Sequence, residues 1–138
     1  MASEFPPAKF YITKNSPDGK ATFLEDAPAP TQSLGPLSQL SYIYSTPPTL
    51  SMGDDSDLDH YITAAKVQPI KYFPAEGATG CAILDFAPNP EGEAGFMHKT
   101  RTLDYIVMLE GEMELELLGG EKKIVKAGEV VIQRECKS

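Results

Sequence analysis

Long apolar runs are missing from this chain. The longest, such as "YIVML" at residues 105–109, stop after a few positions, and a helix that spans a bilayer needs about 20. Cations are also scarce. Twelve Lys and Arg face 20 Asp and Glu, giving a formal charge of −8. Nucleic acid and anionic membrane are therefore not expected as partners, because both select clustered Lys and Arg. The opening "MASEFPPAKF" has neither the basic nor the apolar region of a secretory signal, so a cytoplasmic location is expected. Cysteine is limited to Cys81 and Cys136, far apart and outside any CxxC spacing. Free thiols in a reducing compartment follow, rather than a disulfide framework or a zinc site. Helical periodicity is sparse too, since 12 prolines and 11 glycines interrupt most windows.

What remains is a chain for building sheets. With 138 residues, 41% hydrophobic and 23% charged, it fits one domain that buries roughly 68% of its unfolded surface. "KFYIT" and "ATFLE" flank "KNSPDGK", a hairpin pattern with Asp18-Gly19 at the turn. "EDAPAPTQSLGPLSQ" reads as a mobile Pro/Ser/Gly-rich loop, and "LSYIYST" as a strand closed by Pro47-Pro48. Four aspartates, Asp54, Asp55, Asp57 and Asp59, crowd the stretch before His60. They lack the Gly at position six and the Glu at position twelve of an EF-hand. A solvated acidic loop or helix start is expected there, followed by a short helical turn in "DLDHYITAA" with His60 exposed.

From residue 68 the strand pattern dominates, in "QPIKYF", "CAILDFAP", "LDYIVMLEG", "EMELELL", "KKIVKAG" and "EVVIQ". In "EMELELL", Met113, Leu115 and Leu117 alternate with Glu112, Glu114 and Glu116, which predicts one buried face and one wet face. Gly119-Gly120 closes a hairpin. Many short strands joined by Gly and Pro turns predict an antiparallel barrel or jelly roll.

Within this region Gly92, His98, Thr100, Asp104 and Gly111 keep the spacing G-x5-H-x-H-x3-E-x6-G. The stretch resembles the first motif of the cupins, and "VKAGEVVIQR" resembles the start of the second, opening at Gly128. With the upstream "IYST", the chain looks like the small fungal cupins associated with secondary-metabolite pathways. The resemblance implies an all-β fold, a cupin double-stranded β-helix (jelly roll) barrel. Residues 1–67 would form an irregular segment of strands and Pro/Ser/Asp-rich loops packing on it, and residues 68–138 the core. Even spacing lets residues 98, 100 and 104 share the inner side of a strand, where the family holds Fe, Mn, Ni or Zn.

This chain departs from that set. Thr100 replaces the second histidine, Asp104 replaces the glutamate, and the second-motif histidine is absent before the sequence ends at "RECKS". His98 and Asp104 alone make a weak, incomplete metal site, since catalytic metals commonly keep three protein ligands. No tight metal is expected, with a divalent ion reserved for an intact relative. The core thus reads as incomplete at the C-terminus. Cys136-Lys137-Ser138 can be encoded with GTAAGT, a splice-donor sequence, so a gene model running into a retained intron is one expectation. Tyr72 and Tyr105 read as wall or surface aromatics, Glu110 as a turn residue. Lys99 and Arg101, at odd offsets from Asp104, point to the other face.

The functional expectation is a tailoring enzyme acting on an aromatic or polyketide-like intermediate by oxidation, decarboxylation, dehydration or cyclisation. His98 would serve as general acid or base, Asp104 as its partner and Thr100 as a hydrogen-bonding wall residue. The alternatives are a non-catalytic cupin that binds a small ligand or partner, and an inactive fragment. A small molecule is the expected ligand, and exposed sheet edges make a homodimer an expectation.

Overall fold

The computed structural model describes residues 5–25, 27–88 and 101–134. They hold nine strands and one helix, the strand-rich composition that the proline and glycine content predicts. The chain divides into two compact units, Met1–Pro90 and Glu91–Ser138.

The first unit opens with a hairpin of β1 (Thr13–Asn15) and β2 (Ala21–Phe23), in the register Thr13↔Phe23 to Asn15↔Ala21. Its turn is the predicted one. The Gly19 N–H donates to the Ser16 carbonyl at 3.0 Å, and the Asp18 carboxylate accepts the Lys20 N–H and the Ser16 hydroxyl. Those bonds hold the Asp18 carboxyl below its ordinary value. A three-stranded antiparallel sheet follows in the order β3 (Thr31–Gly35), β4 (Ser38–Thr46), β5 (Thr79–Phe86).

The sequence reading of 25–39 as a loop is corrected by β3. Thr31 to Ser33 pair with Ser41 to Gln39, because the nine-residue β4 offers a second hydrogen-bonding edge and Gly35, at φ +136°, allows a tight reversal that a side chain would resist. "QPIKYF" is corrected in the opposite sense, since no strand forms there. Pro69 and Pro74 bracket the segment, and the Ile70 N–H donates to the side-chain carbonyl of Gln32 instead of to a ladder. The sequence reading divides the chain at residue 67. The compact units divide at residue 90 because β5 pairs with β4 along its whole length, from Ser38↔Phe86 to Thr46↔Thr79.

The helical turn extends to ten residues, α1 (Ser56–Ala65). Asp54 accepts the Ser56 N–H at 3.0 Å, which with the Ser56 and Ser51 side chains draws its carboxyl down. The four aspartates thus serve as a helix start, where carboxylates meet the positive end of the dipole, and His60 is exposed as expected. The buried face of α1 carries Leu58 and Tyr61. Tyr61 stacks on Tyr42 at a centroid distance of 5.3 Å and tilts against Tyr44 at 4.8 Å. With Leu40 and Ile70 these rings form the core of the unit.

The second unit is a nested hairpin. The outer pair is β6 (Asp104–Val107) with β9 (Val130–Gln133), and the inner pair is β7 (Glu112–Glu116) with β8 (Lys122–Lys126). Between the pairs the Met108 N–H donates to the Glu129 carbonyl at 3.0 Å, and the Gly128 N–H to the Met108 carbonyl at 2.8 Å. Gly111 (φ +76°) and Gly128 (φ +87°) stand on opposite strands of this junction. Such paired bends let one ribbon contribute strands to two sheets, as jelly rolls require. The tip turns at Gly119-Gly120 as predicted, with Gly120 donating to Leu117. One expectation is moderated. The Met113 and Leu117 side of β7 is 37% and 46% exposed, respectively, so the alternation is present but neither face is fully covered.

Candidate functional site

Of the residues expected to carry chemistry, His98, Thr100 and the motif glycine Gly92 lie outside the described residues, as does Lys99. Asp104 lies within them. It opens β6 and stands directly opposite Gln133, the last residue of β9. In such a pair the two Cβ atoms are about 4.5–5.5 Å apart.

Burial along β6 and the three residues before it runs against a hydrophobic core. Thr102 and Asp104 are half-buried, while Arg101, Leu103 and Tyr105 between and beside them are exposed. Leu103 is 57% and Tyr105 71% exposed. The partner strand repeats the pattern: Gln133 and Val131 are half-buried, and Ile132 and Val130 are more than half exposed. Asp104 and Gln133 thus form a half-buried polar pair at the end of the ribbon, followed on the same side by Ile106, 40% exposed, and the half-buried Val131. The Thr102 hydroxyl oxygen is fully buried with no hydrogen-bond partner. Leaving a polar atom so costs about 1–3 kcal/mol.

The flanking residues behave as the sequence suggests. Arg101 is exposed. The ion pair found among the described residues is Lys122–Glu114, at 3.7 Å. Glu110 is exposed beside Gly111, Tyr105 is a surface aromatic, and Tyr72 packs partly against the core of the first unit. Cys81 is a free, exposed thiol. Sequence reasoning missed Thr102 and Gln133. Thr102 shares the even offset of residues 98, 100 and 104, a signal that was available. Gln133 required the register of β6 on β9, which composition does not reveal.

A metal fits this donor set poorly. The cross-strand neighbour of Asp104 is an amide and its neighbour along the strand a hydroxyl, neither a strong ligand for a divalent transition metal. No group of three or more His, Cys, Asp or Glu side chains converges among the described residues. His98 with Asp104 therefore supplies two donors where three are usual.

The first unit holds a second polar feature. The Tyr44 hydroxyl donates to Asp57 at 2.6 Å. Burial, followed by that bond to a carboxylate, pushes the Tyr44 phenol well above its ordinary value. A cleft of about 430 Å³ opens beside the pair, between the β1–β2 hairpin, β4 and the start of α1. Because Asp57 belongs to the helix start, the arrangement has a sufficient structural reason.

No family model matches the chain, but individual proteins do. The chain is 32% identical over 135 residues to the oryzines biosynthesis cluster protein J of Aspergillus oryzae, covering 95% of this chain and 72% of that protein. It is 33% identical over 127 residues to the cupin-domain-containing oxidoreductase virC of Hypocrea virens, covering 90% of this chain and 61% of that protein. The chain belongs to the fungal biosynthesis-cluster cupins. A third relative, the phomopsin biosynthesis cluster protein D of Diaporthe leptostromiformis, is 31% identical over 90% of this chain and 65% of its own length. The chain thus spans between about three-fifths and three-quarters of these relatives. Membership gives the fold as the all-β cupin jelly roll that the motif resemblance implied. Among the described residues no helix is long and apolar enough to cross a membrane.

Proposed function

We propose that this fungal cupin is a tailoring enzyme of secondary metabolism, acting on an aromatic or polyketide-like intermediate. One observation carries the reading: the half-buried face of the β6–β9 ribbon ends in polar side chains, while the large apolar ones face out. Relatives named as biosynthesis cluster proteins and cupin-domain oxidoreductases support it. In this reading the substrate lies against Ile106 and Val131. His98 moves a proton at the substrate near neutral pH, because imidazole titrates there. Asp104 holds the imidazole in one tautomer, and Thr100 hydrogen-bonds the substrate. No step passes through a metal, because the donor set falls short of one.

The test is genetic and then chemical. Deleting the gene in its fungus should make one pathway intermediate accumulate. The wild-type gene should restore the product, and His98→Ala should not. With the purified enzyme and that intermediate, His98→Ala should lower kcat by about 10²–10⁴-fold, the usual contribution of a general acid or base. An unchanged metabolite profile after deletion would reject the tailoring role. A homodimer belongs to the same proposal, formed through the apolar side of the β6–β9 ribbon, where Tyr105, Val107, Val130 and Ile132 are each more than half exposed.

A further inference from the structure

The first unit holds a cleft that the proposed reaction does not use. At about 430 Å³, the opening beside Tyr44 falls within the range of small-molecule sites, roughly 300–1,000 Å³. Its wall is apolar and aromatic over Phe10, Tyr11, Ile43, Tyr44, Met52 and Leu58. The Asn15 amide nitrogen donates to the Met52 carbonyl at 3.4 Å, which ties the hairpin side of the cleft to the segment leading into α1. The charged side chains on the wall are Asp55, Asp57 and Lys14. Both aspartates are half-buried, whereas Asp54 and Asp59, their neighbours in the acidic stretch, are exposed and do not line the cleft. Asp57 has a structural duty, since it accepts from the Tyr44 hydroxyl. Asp55 has none. It stands at the N-cap of α1 in a left-handed conformation, φ 60°, and its side chain makes no capping hydrogen bond. Asp54 accepts the Ser56 N–H in its place. Among the described residues no ion pair engages either cleft carboxylate.

We infer that this cleft is a further small-molecule site, which takes an organic ammonium ion carried on a ring-sized apolar body. The ammonium donates to the Asp55 carboxylate and to the acceptor positions that Tyr44 leaves open on Asp57. The apolar body lies along the aromatic and aliphatic wall, where the tyrosine rings also attract a cation. The sign of the charge follows from the lining and from the unit. Two half-buried carboxylates face one exposed lysine, Lys14, and Met1–Pro90 carries ten acidic side chains against five lysines. The Tyr44 phenol feels the same field: burial first, then Asp57 and Asp55, push it well above its ordinary value. An anion would meet both carboxylates, and a neutral analogue would leave Asp55 unpaired. Every residue of this site belongs to the first unit, and none has a part in the reaction proposed at His98 and Asp104.

The probe is 2-phenylethylamine, an ammonium ion at neutral pH, with 2-phenylethanol as the neutral control of similar size. Binding to the full chain is followed by ligand-observed NMR titration, and by the Met52 methyl signal in protein labelled with carbon-13 at its methionine methyls. The amine should bind about tenfold more tightly than the alcohol, the scale of a hydrogen bond to a charged group. Added salt should weaken the amine alone, and the amine should move the Met52 signal. Asp55→Asn should weaken the amine by about fivefold, the upper scale of a partly solvated ion pair, and leave the alcohol unchanged. Asp59→Asn removes the same charge from an exposed position of the helix start and should leave both affinities unchanged. Equal affinity for amine and alcohol, an unmoved Met52 signal, or equal losses in Asp55→Asn and Asp59→Asn overturns the inference. The Met52 signal is read in the wild type, so that arm decides even where a variant fails to fold. No turnover enters any arm, so the result stands whether or not the tailoring reaction is found.

Discussion

Tyr61 lies between Tyr42 and Tyr44, and its hydroxyl donates to the Tyr42 carbonyl at 3.4 Å. Burial, with a smaller contribution from Tyr42, pushes its phenol up from 10.0 to about 12. A folded-state value above the unfolded one means that the native state favours the neutral phenol. The associated stability is complete below pH 10 and is lost as the pH rises through about 12. Tyr44, raised mainly by burial and then by Asp57, adds in the same direction. Thermal melts at successive pH values should therefore show a steep fall in Tm across that window. Tyr61→Phe, which keeps the ring and removes the titrating group, should flatten it. An identical fall in the variant would mean that other groups govern alkaline unfolding.

At the scale of elements, the junction of the nested hairpin gives the sharpest expectation. Gly111 and Gly128 adopt left-handed backbone conformations, and a Cβ added at either meets nothing within 4 Å. The demand is conformational and not steric. Gly111→Ala and Gly128→Ala should each cost about 1–2 kcal/mol in urea unfolding, while asparagine, which tolerates this region, should cost less. Equal losses for alanine and asparagine would point to packing instead. These glycines were visible in the sequence as motif positions, and the strands around them were visible through their period of two. Other elements were not. Thr31–Gly35 looked like a loop because Ser, Pro and Gly surround it, and only the free edge of β4 makes it a strand. "QPIKYF" had the alternation of a strand, but nothing local showed that the Ile70 N–H would be taken by Gln32.

For the whole molecule, the question is what covers the apolar side of the β6–β9 ribbon. If two copies share it, sedimentation velocity should show a dimer that dissociates on dilution, and Val107→Lys with Ile132→Lys should yield a monomer that still melts cooperatively. A wild-type monomer at all concentrations would reject the homodimer. The site itself was only partly readable at this scale. The motif spacing located Asp104, the residue that opens β6. Gln133 escaped because its place is fixed by the pairing of two strands that the inner hairpin holds apart in sequence. Thr102 escaped because a lone threonine is usually silent. Its meaning comes from a buried oxygen with no partner.

The tyrosine cluster of the first unit also determines how this protein can be observed. The chain has no tryptophan and six tyrosines. Tyr11, Tyr42, Tyr44, Tyr61 and Tyr72 lie in the unit that ends at Pro90, and Tyr105 alone lies in the other. Most ultraviolet emitters therefore belong to the first unit, and its three close rings exchange excitation until unfolding separates them. The β6–β9 ribbon contributes through Tyr105 alone. A melt followed by intrinsic light reports mainly on the aromatic core, and Tyr61→Phe with Tyr72→Phe would shift the balance toward Tyr105, the neighbour of Asp104.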